Sequence, residues 1–184
     1  MGRVLERAIE NAGLTELAQR ALAGTGLPAG DIERLRGSDL LLVAGLADLV
    51  RQKFRGDDVQ IVTSDGLPGA RGARHGNTVL AEFAAGEREG LTGAELLVEI
   101  ALLRLRTPGE RSVGVSFDNL GLELAQTALV FGADVLFVDL GGKRTLPLLD
   151  GPQARKQELA GLVARAGRRP CFADTVPDSA EQRS

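Results

Sequence analysis

The sequence predicts an α/β fold: a parallel sheet of about four strands behind an N-terminal helical region. Three observations carry this. Apolar residues recur at helical spacing through the first 55 residues. From residue 58 onward, short β-branched runs alternate with longer amphipathic stretches, the pattern of strand–helix–strand units. Ala133 to Leu140 is apolar without alternation, as a strand covered on both faces must be. The chain divides accordingly into a helical region at 1–57, an α/β domain at 58–177 and a polar, disordered tail at 178–184.

Residues 3–24 read as one or two helices, because Leu5, Ala8, Ile9, Ala12, Leu14, Leu17, Ala18, Ala21 and Leu22 keep the helical period. Gly13 marks a break, and Thr15 is placed to cap the second piece. Gly24 to Pro28 is a turn, and Asp31 to Arg36 a short helix. Ser38 or Asp39 caps the next helix, residues 39–53, which is apolar on several faces and so buried on more than one side. Val59 to Val62 is the first strand. Ser64 to Asn77, with four glycines and a proline, is a loop. Thr78 to Phe83 is the second strand. Thr92 caps a helix from Gly93 to Arg106, with Glu95 in its first turn and Arg104 and Arg106 in its last, as the helix dipole favours. Ser112 to Ser116 is the third strand, Leu120 to Phe131 a helix, Ala133 to Leu140 the fourth strand, and Gln153 to Ala166 a charged amphipathic helix.

Composition narrows the functional classes. With six Phe and no Tyr or Trp, the chain lacks the stacking platforms of single-strand nucleic-acid binders, and its net charge of −3 gives no phosphate-backbone footprint. No nucleic-acid partner is expected. No run of about 20 apolar residues occurs, so no membrane-spanning helix is expected. The first residues lack a secretory signal, which makes the cytoplasm the default location. The single cysteine, Cys171, excludes a disulfide framework and any metal site built on several thiolates, and no cofactor is expected. Its simplest role is that of a small apolar residue.

Candidate sites are few. Ser116, Asp118 and Asn119 follow the third strand and Asp139 ends the fourth; ligands of parallel sheets collect outside such strand ends. Lys143, after the Gly141-Gly142 turn, adds a cation. Asp118 has a competing role as a helix N-cap. In the glycine-rich loop, Arg71, Arg74 and His75 could hold an anion, although a solvated linker explains the same composition. His75 has no second histidine or nearby cysteine with which to anchor zinc.

Two stretches carry a family resemblance. Asp39-Leu-Leu-Leu-Val-Ala-Gly-Leu-Ala-Asp-Leu-Val-Arg51, then Gly56 and Val59 to Val62, resembles the helix and first barrel strand of aminofutalosine synthase, dehypoxanthine futalosine cyclase and FO synthase. These are radical S-adenosylmethionine enzymes. Leu91 to Pro177 is similar to their C-terminal part through Asn77-Thr78, Thr92 to Leu96, Ile100 to Leu105, Leu124 to Gln126, Phe131 to Asp134, Glu158 to Pro170 and Asp174-Thr175. The resemblance implies a TIM-barrel-like sheet, here partial, since a full barrel needs ~250 residues. In the family the first strand leads into Cys-x-x-x-Cys-x-x-Cys, which binds an iron–sulfur cluster; here Ser64 to Asn77 follows it, without cysteine. The implied role is a non-catalytic accessory or structural protein, linked to futalosine-pathway menaquinone biosynthesis. A partial barrel leaves sheet edges open, so its partner is a second copy, forming a dimer, or a fuller relative. Two alternatives stay open: an enzyme with metal-free chemistry at Asp118, Asp139 and Lys143, and a self-assembling scaffold.

Overall fold

The computed structural model describes residues 3–64, 77–81, 91–139 and 152–173. Four helices come first: α1 (Arg3–Asn11), α2 (Thr15–Ala23), α3 (Ala29–Arg36) and α4 (Leu40–Arg55). Gly13 turns the chain between α1 and α2 with φ 65°. Thr15 opens α2 but does not cap it; Leu14 stands at the cap position, with no side-chain bond. Asp39, not Ser38, caps α4, its carboxylate accepting the Leu41 and Leu42 N–H groups at 2.9 and 3.2 Å.

Alternating strands and helices follow: β1 (Asp58–Ser64), β2 (Thr78–Leu80), α5 (Gly93–Arg106), β3 (Ser112–Ser116), α6 (Phe117–Leu120), α7 (Leu122–Ala128), β4 (Val135–Asp139), α8 (Pro152–Arg165) and β5 (Arg169–Ala173). Thr92 and Glu95 form a reciprocal capping box at the start of α5. The helix expected over Leu120 to Phe131 is divided. Gly121, at φ 77°, separates α6 from α7, and α7 ends at Ala128. Asp118 caps neither piece, because the Ser116 hydroxyl accepts the Asn119 N–H at 3.3 Å and Gly121 precedes α7.

The protein is α/β, with one parallel sheet of five strands in the order β2-β3-β4-β1-β5. The fifth strand exceeds the sequence expectation. Arg169-Pro170 disguises it, since proline cannot donate to a ladder; an edge strand tolerates it, and β5 pairs with β1 alone among the described strands.

The steps β2→β3, β3→β4 and β4→β5 all move the same way across the sheet. Right-handed crossovers then place α5, α7 and α8 on one face. The core agrees. Val59 and Ile61 of β1, Val115 of β3, and Leu136 and Val138 of β4 join one apolar cluster with residues of α1 to α5, α7 and α8. Within it α4 packs against α5, and α2 and α3 brace that pair. The alternate residues turn to the opposite face. There Phe137 lies across Gly114 so closely that a Cβ on Gly114 would meet its Cε2 atom at 2.5 Å and Thr78 Cγ2 at 3.1 Å.

Candidate functional site

The carboxyl-terminal edge of the sheet gathers part of the predicted site. Parallel pairing puts Ser64 opposite Asp139 and Ser116 opposite Phe137, so the ends of β1, β3 and β4 lie side by side. The Ser116 hydroxyl is committed to capping α6. Asp118 and Asn119 are exposed on α6, which folds back against β4. For Asp139 the description covers the backbone position. Lys143 and the anion-binding candidates Arg71, Arg74 and His75 lie outside the described residues.

The amino-terminal edge holds a polar cluster that sequence reasoning missed. Asp134, immediately before β4, is 2% exposed. Its Oδ1 accepts the Val113 N–H at 2.6 Å and its Oδ2 accepts Nε–H of Arg55 at 2.7 Å. Arg104, fully buried, brings Nη1 to 3.9 Å from the same carboxylate. Its Nη2 donates to the carbonyls of Pro108 and Arg111 at 3.0 and 2.8 Å, binding the turn between α5 and β3 to the helix. Burial pushes the Arg104 guanidinium below its ordinary pKa, and Asp134 pulls it back up. Arg104, placed by the sequence in the last helical turn where the dipole favours a cation, is an internal brace. Gly132 makes room for it: φ is 96°, and a Cβ there would lie 2.7 Å from Arg104 Cγ. A second group sits nearby. Asp48 accepts from Nε of Arg51 at 2.9 Å and from Nη2 of Arg168 at 2.6 Å, while Arg51 also donates to the Gly56 carbonyl.

Asp48 and Arg51, Arg104, Gly132 and Asp134, and Arg168 come from four separate stretches of the sequence. The fold brings these four stretches together at one end of the sheet. Spacing along the chain does not reveal such a meeting, because Arg55 and Asp134 are 79 residues apart and Asp48 and Arg168 120.

Beside the cluster is an open recess of about 420 Å³, bounded by Phe54 and Arg55 of α4, Asp58 and Gln60 of β1, Asp134, and Cys171 and Phe172 of β5. Among the described residues, no group of three or more His, Cys, Asp or Glu side chains could hold a metal ion, and no helix is long and apolar enough to cross a membrane. Compared with protein-family models, with curated proteins and with solved structures, the chain matches none.

Proposed function

We propose that the chain is a non-catalytic radical S-adenosylmethionine-like protein, serving an accessory or structural role beside the futalosine-pathway enzymes it resembles. The observation that carries this reading is where the resembling residues lie. Five of them, Asp48, Arg51, Arg104, Asp134 and Arg168, meet at the amino-terminal edge, which in a barrel supports stability, whereas chemistry in barrels sits at the carboxyl-terminal edge. There, β1 opens into a segment with no cysteine, and three thiolates cannot be supplied by a chain that has one. The strand order adds support. In a closed barrel successive strands are neighbours and the last pairs with the first. Here β2, β3 and β4 are successive neighbours and β4 pairs with β1, as in a barrel arc with intervening strands missing, whereas β5 departs from that order by lying outside β1 rather than beside β4. Among the described strands β2 and β5 are the edges of the sheet, where a second copy or a fuller relative would add its own strand.

The test is anaerobic reconstitution with iron, sulfide, S-adenosylmethionine and a chemical reductant, followed by co-purification with a full-length dehypoxanthine futalosine cyclase. The expected result is no 5′-deoxyadenosine and a stable complex, either with the cyclase or between copies by light scattering. Stoichiometric iron and sulfide with 5′-deoxyadenosine formation would overturn the reading. So would turnover of a futalosine-type compound that disappears in Asp139→Asn, which favours the metal-free enzyme.

A further inference from the structure

We propose that the recess at the amino-terminal edge of β1 and β5 binds a small monocarboxylate with an apolar body. Its volume, about 420 Å³, lies within the range of small-molecule sites. The unbonded donors of Arg55 favour an anion. Arg55 is fixed through Nε–H to Asp134, while its two terminal nitrogens make no hydrogen bond to the described residues. Asp134 is shared between Arg55 and the buried Arg104. Arg104 Nε and Nη1, both buried, make no hydrogen bond. The other carboxylate of the lining, Asp58, is taken by Arg169. The terminal nitrogens of Arg55 therefore present the paired donors that match a carboxylate.

Gln60 supplies a second polar contact. Its side chain hydrogen-bonds to none of the described residues, and it stands beside Val135 and Cys171 in the sheet register. The walls set the rest of the ligand. Phe54 and Phe172 are the apolar surfaces of the lining, and Phe172 is 40% exposed. Inorganic phosphate would satisfy the Arg55 terminal nitrogens and leave the exposed Phe172 ring wet; a neutral apolar molecule would cover the ring and leave those nitrogens without an acceptor. An apolar monocarboxylate meets both requirements. This site lies at the opposite edge of the sheet from Ser116 and Asp139 and is independent of the accessory role.

Cys171, the single thiol of the chain, lines the recess and reports its occupancy. The experiment follows iodoacetamide alkylation of Cys171 and the unfolding temperature of the full chain with 4-methylpentanoate, its neutral amide, acetate or inorganic phosphate. The acid slows alkylation several-fold and raises the unfolding temperature; the amide, acetate and phosphate do so far less. Gln60→Leu breaks no hydrogen bond among the described residues, so it leaves the unliganded unfolding temperature unchanged and reduces the protection several-fold. Equal protection by the amide, no protection by the acid, or undiminished protection in Gln60→Leu would each overturn the proposal.

Discussion

Asp134 joins β3, α4 and α5 through a single buried carboxylate. It ties the start of β3 to α4 and offers the buried Arg104 its counter-charge. Removing a buried partner is costly because the charges left behind stay desolvated. Asp134→Ala is expected to lower unfolding stability by about 3–5 kcal/mol in urea titrations. Asp58→Ala, which removes only the exposed partner of Arg169, leaves the urea midpoint unchanged. The contrast tests whether burial, rather than the mere presence of an ion pair, sets the cost. Neither residue's weight is legible from its own neighbourhood in sequence. An arginine in the last turn of a helix ordinarily faces water, whereas the tertiary fold encloses Arg104, with Gly132 close against its side chain.

Among the elements, those with local signals were the most readable. Thr92 with Glu95 three residues later specifies the start of α5, and the structure begins the helix where the sequence places it. Asp39→Ala should cost about 1 kcal/mol, since it exposes two N–H groups at the head of α4; thermal or urea unfolding measures it. The capping box also sets a pH dependence. Glu95 accepts the Thr92 backbone N–H and then its hydroxyl, which holds its pKa below the ordinary 4.5. An acid depressed in the folded state contributes stability above its unfolded value and loses it as pH falls through the folded one. The gap in unfolding temperature between the parent and Glu95→Gln should therefore hold above the unfolded value and close as pH falls through the lower, folded one. The less readable elements lack such signals. The break at Gly121 falls within a continuous helical pattern, and β5 carries a proline that argues against a strand except at an edge.

For the whole molecule, the architecture was legible and the site only partly so. Periodicity yields α/β with a parallel sheet, because alternation and apolar runs are local properties. The meeting of Asp48, Arg51, Arg104, Asp134 and Arg168 is a tertiary fact, set by strand order. The N-terminal helices share one apolar cluster with the sheet, Leu17 and Leu35 with Ile61 and Leu136. They should unfold together: far-UV circular dichroism and iodoacetamide reactivity of Cys171 are expected to change at the same urea concentration, and separate midpoints would show two independent units. The position of β1 carries a final consequence. It is the earliest strand in the chain, yet its flanking partners β4 and β5 are among the last segments described, and Asp58 reaches Arg169 across 111 residues. On the ribosome β1 must wait, its backbone unsatisfied, while most of the polypeptide is still being made. Such delayed closure slows folding and exposes an adhesive strand to chaperones and to other nascent chains.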